Sequence, residues 1–408
     1  MWAGRVCSGN TEFNSLAPSL MIAPIHGRSI LSLPPIPALL PYQPNNLQTQ
    51  YSFYRLRPHS SWYNFQSMVS LEFCRKMPKV ELHVHLEGSI RPETVLKLAE
   101  RHGVQLPAND LDGLRDWYKF RDFPHFVEIY VSVSKCIRTP DDIELIAREF
   151  LEGQAAQNIL HTEATYSATT IEKHNKIPWP EQHAALKRAL EYGKKELGVS
   201  ANFILDIVRG DPAERALELA QWVVGAKDDG VCALGLAGIE KICPADQYAS
   251  AYKFVHDAGM PVVPHAGETK GADSMVEVIE ATQPVRIGHG VRCLEDPKLV
   301  EYLREKQIPL EVNPTSNICL GVFPSLEEHP LPEMMDEGLY VTINSDDPPM
   351  FGTTQSEEFY RCAKTFGFSR DILWTLSLNA ANAALLPDSE KRALVTRMRE
   401  GFNALDGV

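Results

Sequence analysis

Eight short apolar runs rich in β-branched residues recur along this chain, and longer segments with helical periodicity separate them. The runs lie at 80–88, 159–167, 201–209, 231–238, 260–268, 285–290, 308–317 and 339–348. The clearest helical segments lie at 178–198, 212–230, 246–259, 273–282 and 296–307. Because parallel strands need long crossovers, eight such units in about 270 residues predict a single (β/α)8 TIM barrel with extra helices after the first strand.

An open, doubly wound α/β sheet is the alternative architecture for alternating strands and helices. Such sheets typically carry a glycine-rich phosphate-binding loop after a strand. The chain contains neither G-x-G-x-x-G nor G-x-x-x-x-G-K-S/T. The closed barrel is therefore the preferred prediction.

The first 72 residues differ in composition from the rest. Residues 1–71 contain four arginines, no lysine and a single acid, Glu12, which gives them a charge of +3, whereas the whole chain carries −13. The run "LPPIPALLPYQP" excludes a helix or a central strand. We expect a poorly structured leader at 1–72 and a catalytic domain at 77–405. The leader is either an organellar transit peptide or the result of an upstream start codon, with the natural start near Met68 or Met77.

Charge and cysteine content restrict the partners and the compartment. A net charge of −13 and a pI near 5.5 argue against a nucleic-acid partner, which would need a basic face. No run of eighteen apolar residues could span a membrane. Eight dispersed cysteines without Cys-x-x-Cys argue against a zinc ribbon or a disulfide framework and indicate a reducing compartment. We therefore expect a small-molecule ligand and a cytoplasmic protein; the oligomeric state is left open.

The carboxyl ends of the predicted strands carry polar side chains suited to catalysis. His83 and His85 lie two residues apart on the first strand, so both imidazoles point to the same face. Barrel enzymes place their catalytic residues at this end of the strands. The other candidates at strand ends are Glu87, Gly238, His265, Glu268, His289, Asp346 and Asp347. Any one of these could be an ordinary buried or capping residue, but four strand ends with donor groups together favour a metal site.

Imidazole and carboxylate donors match zinc better than calcium or magnesium, although iron, cobalt, nickel and manganese remain alternatives. A bound cation lowers the pKa of its water from about 15.7 toward 7, which predicts a hydrolase. Glu268 follows His265 by three residues and could act as a general acid if a partly dry pocket raises its pKa. Asp346 and Asp347 would point to opposite sides if extended, so one could bind metal and the other the ligand.

The segments "PKVELHVHLEGS", "HAGE", "RIGHG", "PTSN" and "NSDDP" resemble, in order and spacing, those of the adenosine deaminase family of metal-dependent amidohydrolases. The resemblance runs from Met77 to about Met398. It implies one Zn2+ per chain, with the ligands His83, His85, His265 and Asp346. It also implies that Glu268 protonates purine N1 and that His289 orients and helps deprotonate the attacking water. The substrate-binding residues that it implies are His85, Glu87, Gly238 and Asp347.

The resemblance implies hydrolytic deamination of a 6-aminopurine nucleoside, with adenosine or deoxyadenosine as the default substrate. Glu87 replaces the aspartate of the family's usual "HLDG", which helps to hold the ribose 5′-hydroxyl. Adenine deaminases of the family share "HLEG" but carry "DHG" where this chain has "GHG" at 288–290, which favours a nucleoside. Aminodeoxyfutalosine deaminases also share "HLEG" and are similar around "RTPDD" at 138–142. Both enzymes are alternatives, and "GLAGIE" at 235–240 departs from the usual "DLAGDE".

An aromatic segment at 114–130 lies between the first two strands and is either a lid over the purine or a helix pair packed on the barrel. Two other functions are weaker alternatives. A non-catalytic purine-binding barrel would be expected to lack Glu268 or a metal ligand, and none is missing. An amidohydrolase with two metals and a bridging lysine would need that lysine at the end of the fourth strand, but Lys241 lies beyond the turn.

Overall fold

Residues 69–405 are the part of the chain that this computed structural model describes. Eight parallel strands form one nearly closed barrel in the order of the sequence. The strands are β1 Lys79–His85, β2 Ile159–Tyr166, β3 Ser200–Val208, β4 Val231–Ala237, β5 Val262–Ala266, β6 Ile287–His289, β7 Leu310–Val312 and β8 Val341–Ile343. Backbone hydrogen bonds between the end of β1 and Asp346, which follows β8, join the first and last strands: His85 N donates to Asp346 O at 2.9 Å. The predicted TIM barrel is confirmed.

Helices occupy the connections between the strands. They are α1 Leu71–Lys76, α2 Pro92–His102, α3 Leu111–Trp117, α4 Phe123–Ser134, α5 Pro140–Ala156, α6 Ala168–Asn175, α7 Trp179–Tyr192, α8 Ala213–Gly225, α9 Ala249–Asp257, α10 Ala272–Thr282, α11 Pro297–Lys306, α12 Pro314–Cys319, α13 Leu331–Asp336, α14 Pro348–Phe351, α15 Gln355–Phe366, α16 Arg370–Ala383 and α17 Asp388–Asn403. The extra helices predicted after the first strand are α2 to α5. No helix within 69–405 has both the length and the apolar character needed to cross a membrane.

The predicted strand runs extend too far at their carboxyl ends. The seventh run continues to residue 317, but the strand stops at Val312 and Pro314 begins helix α12, where proline is favoured because the first helical N–H needs no partner. The eighth run likewise ends in α14. These polar ends leave the sheet, and that departure brings their side chains over the barrel mouth.

The segment "RTPDD" has a structural explanation in the cap of α5. The Thr139 hydroxyl accepts a hydrogen bond from Asp142 N at 3.2 Å, and Asp142 Oδ2 accepts one from Thr139 N at 2.9 Å. This reciprocal pair satisfies two backbone donors that a helix start would otherwise leave free. Arg101 and His102 also contact the Asp142 carboxylate, at 2.7 and 2.8 Å. The motif therefore has a structural role as the cap of α5.

The lower interior of the barrel contains a set of paired charges that we call the barrel floor. Glu163 of β2 forms an ion pair with Arg286 at 2.7 Å, and Arg286 forms another with Glu311 of β7 at 2.5 Å. Arg286 directly precedes β6, which is not a neighbour of β2 in the sheet, so its contact with Glu163 crosses the barrel interior. The backbone N–H of Leu385 also donates to Glu163, and all three charged side chains are buried.

The leader predicted at 1–72 lies outside the described residues, apart from its last four, which include the start of α1. The boundaries of the predicted catalytic domain, 77–405, stay a prediction. The seven cysteines between residues 69 and 405 are free thiols.

Candidate active site

Three imidazoles meet at the carboxyl end of the barrel. His83 and His85 extend from β1 and His265 from β5, and all three are buried. His85 Nε2 lies 3.2 Å from His265 Nε2. His83 Nδ1 donates to Glu311 Oε2 at 2.9 Å, and His265 Nδ1 donates to Leu236 O at 2.9 Å. These bonds fix both tautomers and leave the Nε2 lone pairs of His83 and His265 facing the barrel mouth.

Asp346 brings a carboxylate to the same point. Its Oδ1 lies 3.5 Å from His83 Nε2 and 3.4 Å from His85 Nε2, and its Oδ2 accepts a hydrogen bond from Ser316 Oγ at 2.6 Å. Asp346 has a φ of 65°, in the left-handed region. The expectation that extended Asp346 and Asp347 point to opposite sides is therefore wrong: the backbone turns here, and both side chains line one cavity.

These four side chains, His83, His85, His265 and Asp346, form what we call the donor cluster. Within the described chain, His83 Nε2 has no hydrogen-bond partner although it is buried. Lone pairs and a carboxylate that face each other without protons between them repel, and a cation between them removes that cost. The donor atoms of His83, His85 and His265 all lie within 4.8 Å of one another. The set of imidazoles plus a carboxylate fits a zinc-like ion.

The electrostatics of the donor cluster favour positive charge. Burial alone would lower the pKa of His83, but Asp346 and Glu311 raise it to about 10. Burial lowers the pKa of His85 to about 4 and that of His265 well below its usual value. The two carboxylates thus favour a positive charge beside His83, which a bound cation would supply, while His85 and His265 stay neutral, as metal-binding histidines must be.

Glu268 lies beside the donor cluster as a buried carboxyl. Burial, Asp346 and Glu240 raise the pKa of Glu268 well above its usual range. This shift favours the protonated form of the side chain, which is the form a general acid needs. Its Oε1 lies 3.7 Å from Nε2 of His289.

His289 ends β6 with a φ of 59° and faces the same cavity. Burial lowers the pKa of His289 to about 3, so the ring is neutral. Its Nδ1 lies 3.3 Å from Asn313 Nδ2 and 3.2 Å from Asn317 Nδ2, and its Nε2 lies 3.9 Å from Asp346 Oδ2.

Glu240 was not assigned a role from the sequence, but it organises the loop that carries Glu268. Its carboxylate accepts hydrogen bonds from four consecutive backbone N–H groups, those of Gly267 to Lys270, at 2.7 to 3.1 Å. Ser274 Oγ also donates to it. The only sequence signal was the position of Glu240 two residues after Gly238, in "GLAGIE".

An aromatic wall covers one side of the cavity. Phe123, Phe126 and Tyr130 of α4 line it, and Phe126 stacks on Phe351 at 5.3 Å between ring centroids. The segment 114–130 thus forms a helix pair packed on the barrel that is also a cavity wall. Gly238 lines the opposite side with a φ of 92°. Asp347 requires a glycine at position 88, because a Cβ there would lie 1.6 Å from its Oδ1.

Glu87 differs from the other predicted substrate-binding residues because it does not line the cavity. Its Oε1 accepts a hydrogen bond from Ser167 N at 2.9 Å and its Oε2 accepts one from Tyr130 OH at 3.1 Å. Burial raises its pKa to about 7. Glu87 thus connects Tyr130 of the aromatic wall to Ser167 in the loop after β2 through two hydrogen bonds.

The comparison with protein families gives one match over most of the barrel: residues 78–400 match the adenosine deaminase family. An adenine deaminase of Crocosphaera subtropica is 36% identical over 319 residues, which cover 78% of this chain and 97% of the relative. An aminodeoxyfutalosine deaminase of Streptomyces avermitilis is 36% identical over 332 residues, or 80% of this chain and 91% of the relative.

Two crystal structures are close to this fold. The adenine deaminase of Arthrobacter aurescens superposes with a TM-score of 0.76 and 32% identity, covering 79% of this chain and 98% of its own. A zinc-bound amidohydrolase of Burkholderia ambifaria superposes with a TM-score of 0.77 and 26% identity, covering 84% and 96%.

Proposed function

This chain belongs to the adenosine deaminase family, and on that basis we propose that it removes the 6-amino group of a purine by metal-dependent hydrolysis. The observation that carries the proposal is the convergence of the donor cluster with the buried carboxyl of Glu268, whose pKa is raised, at one cavity. A single Zn2+ held by the donor cluster would lower the pKa of a coordinated water toward 7.

Other residues of the chain transfer the protons, orient the water and hold the purine. Glu268 gives its proton to N1, which makes C6 electrophilic, and water adds there. One proton of the water passes to the 6-amino group, the C6–N6 bond breaks and ammonia leaves, and the remaining hydroxyl proton returns to Glu268. His289 orients the attacking oxygen. Asp347 hydrogen-bonds N7 and the backbone of Gly238 contacts N3, which holds the ring across the cavity. The aromatic wall excludes water from the reacting centre.

Adenosine is not the substrate that we favour. The relatives are adenine and aminodeoxyfutalosine deaminases, so the comparisons support a purine-type substrate without singling out adenosine. Both oxygens of Glu87 accept hydrogen bonds from Ser167 and Tyr130, and the side chain does not line the cavity where a ribose 5′-hydroxyl would lie. The alternative substrates therefore rank above the default one.

Of the alternatives, we propose aminodeoxyfutalosine first. Adenine deaminases of the family carry aspartate at the position of Gly288, and a Cβ there would lie 2.7 Å from Cε1 of His83. That side chain would displace a member of the donor cluster, so this backbone fits the "GHG" pattern. Adenine is the second candidate, because the crystal structure of an adenine deaminase is 32% identical. The cytoplasmic location expected from the sequence, like the absence of a nucleic-acid partner, stays a prediction.

A substrate panel tests the proposal. The metal-analysed protein is incubated with aminodeoxyfutalosine, adenine, adenosine and deoxyadenosine, and ammonia release is measured. We expect kcat/KM for aminodeoxyfutalosine to exceed that for adenosine at least tenfold, complete chelation to abolish turnover and added zinc to restore it. No turnover of any aminopurine would refute the function.

Glu87→Asp is the matched variant for the panel. The shorter side chain restores the family's "HLDG" and cannot keep both of its contacts, so adenosine turnover should rise relative to the other substrates. An unchanged ranking would show that Glu87 has no part in substrate choice.

A further inference from the structure

A chain of hydrogen bonds leads away from the cavity behind His289. His289 Nδ1 contacts the side-chain amide of Asn317 at 3.2 Å. Asn317 Oδ1 contacts His329 Nε2 at 3.0 Å, and Leu331 N donates to His329 Nδ1 at 3.1 Å. His289, Asn317 and His329 are all buried. We call this series the His329 relay.

The direction of every bond in the relay follows from its last member. A backbone N–H can only donate, so Nδ1 of His329 must accept from Leu331. Burial lowers the pKa of His329 to about 3, so the ring is neutral and its single proton lies on Nε2. That proton is donated to Asn317 Oδ1, and the amide nitrogen of Asn317 consequently points at His289.

The same reasoning applies to His289, which lines the cavity. An amide nitrogen cannot accept, so Nδ1 of His289 accepts from Asn317 and carries no proton. Asn313 acts in the same direction, since its Nδ2 donates to Glu311 O at 3.2 Å and also faces His289 Nδ1 at 3.3 Å. The proton of the neutral His289 ring therefore lies on Nε2, which faces Glu268 at 3.7 Å.

From this geometry we propose that His329 is a positioning residue that fixes the tautomer of His289 through Asn317. His289 then meets the attacking oxygen as a hydrogen-bond donor that orients it. The expectation that His289 also takes the proton of the water would require the other tautomer, which the relay opposes. The inference rests on the proposed deaminase function, but the tautomer can be measured without substrate.

Nuclear magnetic resonance of the zinc-loaded protein with 15N-labelled histidines reads the tautomer directly, because protonated and unprotonated ring nitrogens differ widely in shift. We expect a proton on Nε2 of His289, assigned by loss of its signals in His289→Gln. A proton on Nδ1 in the unaltered protein would overturn the proposal, whatever its substrate. Failure of the substrate panel alone would instead overturn the proposed function.

Two variants at position 329 separate positioning from packing. His329→Phe keeps a ring against Phe323, whose centroid lies 5.2 Å from that of His329, but removes the donor to Asn317. Without that donor, the side-chain amide of Asn317 can rotate by 180° and present its oxygen to His289. We then expect the His289 tautomer to change and kcat to fall roughly 10- to 100-fold, the range for groups that orient another functional side chain. His329→Gln keeps a donor at the Nε2 position and should restore most of kcat and the original tautomer.

A control variant excludes a general effect of losing a histidine side-chain hydrogen bond. His256 of α9 also hydrogen-bonds through Nε2, to Thr282 O at 2.8 Å, but lies outside the barrel. His256→Phe should leave kcat and the His289 signals unchanged. A loss of kcat in His329→Phe with the tautomer of His289 unaltered would refute the relay. If that variant does not fold, Asn317→Asp serves instead, because its carboxylate can only accept and should move the proton to Nδ1 of His289.

Discussion

The buried ionisable groups at the two ends of this barrel differ in what satisfies them. In the barrel floor, Glu163, Arg286 and Glu311 pair with one another at 2.5 to 2.7 Å. In the donor cluster, imidazole nitrogens and a carboxylate face each other at 3.2 to 3.5 Å, with no lysine or arginine side chain among them. Each charge of the floor is paired with an opposite charge of the chain, whereas the donor cluster would be completed by a cation. Substitutions in the floor should therefore cost stability, and those around the cluster should cost activity.

Glu311 connects the two regions. Its Oε1 accepts from Arg286 in the floor, and its Oε2 accepts from Nδ1 of His83 in the donor cluster. The orientation of a metal-binding imidazole thus depends on a buried ion pair below it. Such carboxylates behind histidine ligands fix the ring and raise its basicity.

The largest expected effect on activity without loss of stability comes from Glu268→Gln. Glutamine keeps the volume but has no proton to give, so kcat should fall roughly 10²- to 10⁴-fold. The pKa of Glu268 is raised on folding, so its ionisation opposes the folded state as the pH rises above the unfolded value. Glutamine removes that cost, and Tm and zinc content should not fall. A full rate in this variant would mean that another group protonates N1.

Glu163→Gln tests the opposite region. Removal of one charge of a buried pair costs about 3–5 kcal/mol, so Tm should fall by several degrees while the folded fraction keeps much of its kcat. Burial alone would raise the pKa of Glu163, but Arg286 and His161 lower it to about 2. Its contribution to stability is therefore present above about pH 4.3 and is lost as the pH falls toward 2.

The Tm difference between Glu163→Gln and the unaltered protein should consequently narrow in acid. Glu301→Gln, at an exposed position on α11, is the control and should show no difference at any pH. A loss of activity in Glu163→Gln as large as that in Glu268→Gln, with Tm unchanged, would contradict the division between the two regions.

The barrel and the members of the donor cluster could be predicted because both follow from patterns within short stretches of the sequence. Strand-like runs alternate with helical ones, and the carboxyl ends of parallel strands meet at one mouth, so His83, His265 and Asp346 converge although 263 positions separate the first from the last. The turn at Asp346 was not predictable, since its φ of 65° is set by the hydrogen bonds that close β8 onto β1.

The supporting residues were harder to predict because their partners are distant in sequence. Glu311 contacts a histidine 228 positions away, and Glu240 contacts a loop 27 to 30 positions away. The local sequence around Glu311 and Glu240 has no pattern that shows whether hydrogen-bond donors will surround a buried carboxylate. Glu87 shows the converse: its motif suggested a substrate contact, but the extra methylene takes its carboxylate to Tyr130 and Ser167.

Glu240→Gln should give the smallest of these effects, and it tests how Glu268 is positioned beside the donor cluster. Four backbone N–H groups surround the Glu240 carboxylate, so an amide NH2 in its place must face at least one donor and shift the loop that carries Glu268. A displacement of about 1 Å at a catalytic group can cost up to 10²-fold, and we expect kcat to fall roughly 10- to 100-fold with a smaller change in KM.

Glu277→Gln is the matched control for this variant. Glu277 approaches the same loop from outside, where its Oε2 accepts from Lys270 Nζ at 3.3 Å, but it contacts no backbone N–H of residues 267–270. The kcat of Glu277→Gln should stay within about twofold, since its partly exposed ion pair with Lys270 lies near the surface, where such pairs contribute less than about 1 kcal/mol. If both variants lose kcat equally, the loop is held by its surroundings as a whole. If kcat falls only in Glu240→Gln and the metal content is retained, the donor cluster binds the cation while the Glu240 carboxylate separately positions Glu268.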